Sequence, residues 1–209
     1  MQVRTRHTPA FGVARLMLAP GEAVQADYSS LLATSFGVLV DQRRGGGRSK
    51  GRPTVFTAPA EGGWVDVAPG LPGEVYALDL DGTAGWCVAR GVGLAVASTL
   101  RIDPSWPNFH ALFGAEHGFL EHVSGVGTIV LAVCGALDVV TLEPGEAITV
   151  DPASVLAYSD GTQCRLRAVS QSGPQSVRTG EGLMLDFAGP GRLLTQTRTP
   201  RAMAGWLAR

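Results

Sequence analysis

The stretch NFHALFGAEHGFLEHV, residues 108–123, holds His110, Glu116, His117, Glu121 and His122. Imidazoles and carboxylates are the ligands that zinc, iron or manganese accept. Spacing limits what these can do. In a strand only even separations share a face, so His117 and Glu121 point one way, Glu116 and His122 the other. At most a pair converges unless His110 folds back. Surface or hydrogen-bonded histidines are therefore expected here, and no resident metal.

A second stretch with chemical potential is RRGGGRSKGRP, which sets Arg43, Arg44, Arg48, Lys50 and Arg52 among four glycines. A basic glycine-rich loop can cradle phosphate or hold nucleic acid. The residue order is wrong for a phosphate-binding loop, because Gly46 to Lys50 reads GGRSK and the flanks suggest strands, with no helix N-terminus to receive the anion. Nor is there an interleaved aromatic to stack bases. The reading is a solvated loop, with RNA or an anionic surface as the alternative partner.

Glu22 and Glu146 each follow Pro-Gly, and a general-acid role is conceivable. The plainer reading is that Pro-Gly forms the centre of a type II turn and the glutamate opens the next strand. Cys87, Cys134 and Cys164 are odd in number, lack a C-x-x-C pair and sit among apolar or small residues, as packed thiols do. No serine lies in a G-x-S-x-G elbow. Trp106, Phe109 and Phe113, beside Pro104 and Pro107, are too apolar for a solvated loop. They cover either the chain's own core or a neighbouring subunit or other partner.

The elements that must position these residues are β in character. Hydrophobic residues make up 45% of the 209 and charged residues 17%, with 28 glycines and 13 prolines. That balance fits a turn-rich β fold or an oligomer better than a disordered chain. The net charge of −1 argues against a general polyanion binder, and five of the 17 basic residues fall within 43–52. The longest apolar run, Ile129 to Leu137, is far shorter than the roughly 20 residues of a membrane span, and MQVRTRHTPAFGVARLML has no continuous apolar signal core. A soluble, cytoplasmic protein is expected.

The chain also repeats. LAPGEAVQADYSSLLATS begins at Leu18 and LEPGEAITVDPASVLAYS at Leu142, and they match at ten of eighteen positions without gaps. The offset of 124 is twice 62, and a drifted copy, LDGTAGWCVARGVGLAVAS, begins at Leu80. Three tandem units follow, at about 11–70, 71–133 and 134–198, within a single domain. Long connections recur at the same phase: 43–52, Arg101 to Gly118, and Arg165 to Gly182. Near the end, Thr199 can cap and Pro200 can start a short helix over 199–208, with Met203, Trp206 and Leu207 on one face.

PAFGVARLMLAPGEAVQAD, LPGEVYALDLDG, LEPGEAITVD and above all GEGLMLDFAGPGRLLTQTRTPRAMAGWL, which begins at Gly180, together resemble the altered-inheritance-of-mitochondria family. That family is also described as TRAP-like, after the tryptophan RNA-binding attenuation protein. The resemblance implies an all-β fold, a β-sandwich or double-stranded β-helix of three related units, and a propensity to assemble as a homo-oligomer. It carries no catalytic residue and no cofactor, and it links mitochondrial members to inner-membrane organisation. The sequence departs from the family in its arginine-rich first connection and in GAEHG, Gly114 to Gly118. A cupin-like metal enzyme would need His-x-His, which does not occur. The expectation is a non-enzymatic, oligomer-forming scaffold or binding module whose protein partner the sequence does not name.

Overall fold

A computed structural model describes residues 1–42, 53–104, 119–168 and 182–207. The basic segment 43–52 lies outside these residues, as do Trp106, Phe109, His110, Phe113, Glu116 and His117. In chain order the strands are β1 (Gln2–Arg6), β2 (Val13–Leu18), β3 (Ala23–Asp27), β4 (Leu31–Thr34), β5 (Leu39–Gln42), β6 (Pro53–Thr57), β7 (Gly63–Val67), β8 (Val75–Asp81), β9 (Trp86–Ala89), β10 (Gly93–Ala97), β11 (Leu100–Asp103) and β12 (Leu120–Ala132). There follow β13 (Leu137–Leu142), β14 (Ala147–Val150), β15 (Val155–Ser159), β16 (Gln163–Ala168), β17 (Leu183–Ala188), β18 (Gly191–Gln196) and the α-helix α1 (Pro200–Leu207). The protein is an all-β sandwich with a short C-terminal helix.

The chain divides into two compact units, the first of residues 1–82, 91–101 and 125–136, the second of 83–90, 102–124 and 137–209. In the first, β1, β2, β7 and β4 form one antiparallel sheet, while β8, the end of β12, β10, β3, β6 and β5 form another. Burial alternates with period two along β2 and β3, as a strand with one face on a core requires. Leu16, Val65 and Val67 from the first sheet meet Val24, Phe56, Ala95 and Val130 from the second. In the second unit β13, β18, β15, β9 and the start of β12 form one sheet, and β14, β17 and β16 the other. Leu193, Tyr158 and Cys87 pack there against Leu185 and Phe187.

The two PGE stretches adopt the same local structure. Glu22 N–H donates to Ala19 O and Glu146 N–H to Glu143 O, both at 3.0 Å. Gly21 and Gly145 take the positive φ of 69° and 91° that a type II turn needs at its third residue. Asp27 and Asp151 then each cap a turn of 3-10 helix, accepting from Ser29 N and Ala153 N at 2.9 Å. Each copy ends in the same bulge, at Leu31/Ala33 against β7 and at Val155/Ala157 against β18.

A further correspondence, not anticipated from the sequence, follows the 62-residue period. Phe11, Gly73 and Gly135 lie 62 apart and form successive parallel bridges, Phe11 with Gly73 and Gly73 with Gly135. Gly12 N–H donates to Gly73 O at 2.8 Å, and one period on Glu74 N–H donates to Gly135 O at 3.1 Å.

The long connections are flanked by paired strands, β5 with β6, β11 with β12 and β16 with β17. Two of their boundaries need correction. Arg101 lies in β11, and Arg165 and Arg167 lie in β16, so the second and third connections begin later than expected. β16 alternates exposed and half-buried residues, and its outward arginines look like loop in the sequence.

Candidate functional site

The glutamates of the PGE turns are structural. The Glu22 carboxylate accepts from Ala19 N and the Glu146 carboxylate from Glu143 N, each at 2.8 Å. Each side chain reaches back to the first residue of its own turn and locks it. Glu146→Ala should therefore lower stability by about 1 kcal/mol, measured by denaturant unfolding. An unchanged midpoint would mean the turn holds without its clamp.

Of the five candidate ligands, the structure describes Glu121 and His122, neighbours on β12 opposite Val88 and Cys87 of β9. His122 Nε2 lies 2.9 and 3.0 Å from the two carboxylate oxygens of Asp160. The same carboxylate accepts Gly85 N–H at 2.9 Å. Gly85 leaves no room for more, since a Cβ there would stand 2.4 Å from His122 Nε2. This is a tie between β12, the end of β15 and the residue before β9. Burial pushes the Glu121 carboxyl up, partly offset by the Arg90 charge. Among the described residues no three His, Cys, Asp or Glu side chains gather as a metal site.

The cysteines pack as expected: Cys87 and Cys134 are buried and Cys164 half-buried. Cys87 sits opposite Tyr158 in the β9–β15 pair. Burial pushes the Cys87 thiol up to about 11 and the Cys164 thiol up to about 12, with the Tyr158 hydroxyl bonded to both and pulling each partly back. A thiol held there is protonated at neutral pH and is a poor nucleophile. Cys87→Ser should leave thiol-reagent labelling of the folded protein unchanged, because the parent thiol is already closed off. Rapid labelling of the parent at pH 7 that Cys87→Ser abolishes would contradict this.

What the described surface does offer is apolar contact. The stretch SFGVLVDQ, which sequence reasoning passed over, leaves Phe36 fully exposed and Leu39 69% exposed, with Leu32 just before it at 57%. The signal was available: after Phe36 and the turn glycine Gly37, Val38, Leu39 and Val40 follow without the alternation of a half-buried strand. Phe36 borders a groove of about 510 Å³ lined also by Met17, Pro20, Pro59, Trp64 and Glu61. In the second unit, α1 begins where predicted, with Thr199 Oγ1 accepting Ala202 N–H at 3.2 Å. It is lightly seated: Met203 is half-buried, but Trp206 is 69% exposed. A groove of about 820 Å³ runs between α1, Asp151, Ala153 and the start of β17. No helix among the described residues is long and apolar enough to cross a membrane.

The fold has a solved counterpart. A Streptococcus pyogenes protein of known crystal structure superposes with a TM-score of 0.80 at 23% identity, covering 100% of this chain and 98% of that one. An uncharacterized protein of Streptococcus pyogenes serotype M6 is 31% identical over 149 residues, which are 70% of this chain and 59% of the relative's length. The profile of the mitochondrial biogenesis AIM24 family matches residues 3–198. With a match of that extent, the chain belongs to the mitochondrial biogenesis AIM24 family.

Proposed function

We propose that the chain is a non-enzymatic β scaffold that works by assembling, with its exposed apolar surface as the contact. The observation that carries this reading is that Leu32, Phe36 and Leu39 are each more than half exposed within eight residues of the first unit. Large apolar side chains left in water are candidates for interaction sites on folded proteins. The polar groups described support it too: the clamped glutamates and the His122–Asp160 tie hold turns and strands together, and Cys87 and Cys134 are buried. The test is sedimentation velocity across the micromolar range. The parent chain should sediment as an oligomer, and Leu32→Ser/Leu39→Ser should dissociate at least tenfold more readily with its circular dichroism unchanged. A parent that stays a single chain at every concentration overturns the reading.

A further inference from the structure

Two elements of this chain leave large apolar side chains exposed, and the charged residues beside them are opposite in sign. One is α1, an eight-residue helix whose Met203 and Trp206 lie three apart and so on one face. Its one charged residue is Arg201, in the first turn. The other is the groove beside Phe36. Its volume of about 510 Å³ is of the size that accepts a compact apolar group. Glu61 is its one charged lining residue among those described.

We propose that α1 of one copy docks in the Phe36 groove of a second copy, with Trp206 entering beside Phe36 and Trp64, and Arg201 facing Glu61. This inference rests on the assembly reading above and names its contact. A second copy is the occupant because the chain itself supplies both halves: a helix that carries an exposed indole and one arginine, and an apolar groove with one glutamate at its rim. An amphipathic helix laid in an apolar groove is a recurring mode of recognition, anchored at residues three and four apart. The contact joins two different patches, so each copy gives one helix and receives one. The indole supplies most of the contact, since buried aromatics carry a disproportionate share of interface energy, and the Arg201–Glu61 pair at the rim sets orientation.

The experiment uses the full chain and three variants. Trp206→Glu should weaken self-association at least tenfold in sedimentation velocity with an unchanged melting temperature, because Trp206 is exposed within the folded chain. Glu61→Arg and Arg201→Glu, each alone, should weaken it at least threefold by setting like charges against one another. Mixing those two variants should restore association, because each then meets an opposite charge on its partner. A Trp206→Glu protein that assembles like the parent overturns the helix contact while leaving assembly through another surface standing. Single charge variants that behave like the parent, or a mixture that fails to recover, overturn it as well. A parent that is a single chain throughout removes both this inference and the reading it rests on.

Discussion

Gly73→Ala should destabilise the protein by about 3 kcal/mol or more, at or beyond the upper end of the usual cost of overpacking. A Cβ on Gly73 would stand 1.9 Å from the carbonyl oxygen of Val133 and 2.8 Å from the Gly135 nitrogen. Both neighbours are backbone atoms, and both are held. Val133 N–H donates to Glu74 O at 3.0 Å, Gly135 N–H to Pro72 O at 3.2 Å, and Glu74 N–H to Gly135 O at 3.1 Å. Making room means breaking bonds on both sides of the methyl group. For a chain of this length the loss corresponds to a fall in melting temperature of roughly 6–12 °C. Gly70→Ala is the matched control, since a Cβ there meets nothing within 4 Å, and it should change stability by less than about 0.5 kcal/mol. Equal melting temperatures for the two variants would show that the close approach at Gly73 is not what holds these segments together.

The same residue shows where sequence reasoning reaches its limit. The PGE turns were legible because Pro-Gly demands one backbone shape and the flanking alternation demands strands. The start of α1 was legible from Thr199 and Pro200 for the same local reason. Gly73 was not, although Phe11, Gly73 and Gly135 sit on the very period that the PGE match reveals. A glycine before a strand has many local uses, and its need for close approach appears only once Val133 is beside it. His122 could be placed on a strand face, but its partner Asp160 is 38 residues away, and no local pattern joins them. Arg165 and Arg167 lie on the outward face of β16, where polarity hides a strand. Phe36 to Val40 misleads in the opposite direction: an apolar run normally signals burial, and here Phe36 and Leu39 face solvent.

Asp66→Asn should cost about 2 kcal/mol at pH 7 and progressively less below pH 4. Asp66, next to last in β7, is 2% exposed, where an ionised carboxylate is costly unless its partners are fixed. Arg15 of β2 grips it with Nε and a terminal nitrogen, both at 2.8 Å, and Arg6 of β1 adds a third bond at 2.6 Å. The Arg15 guanidinium lies 3.9 Å over the Trp64 ring, so its fork is aimed before the carboxylate uses it. A bond to an ionised group is worth about 1.5–3 kcal/mol in net terms; asparagine keeps an acceptor oxygen for the arginines, and their exposure lets water take up the rest, so the loss is set near the worth of one such bond. Hydrogen bonds from Arg15 hold the Asp66 carboxyl below the usual carboxylate range, burial opposes them, and Arg6 reinforces them. The unfolded group titrates near 3.9. Because the folded value is lower, the unfolded chain binds more protons between the two. The contribution is then present above about pH 4 and is lost as pH falls through the folded value. Unfolding free energies at pH 7 and pH 3 decide the matter. The gap between parent and Asp66→Asn should narrow at pH 3, whereas a gap of equal size at both would assign the loss to packing and not to charge. Asp186→Asn, whose carboxylate pairs with Arg167 and Thr149 at the surface, should lose far less at either pH, because water replaces its partners readily.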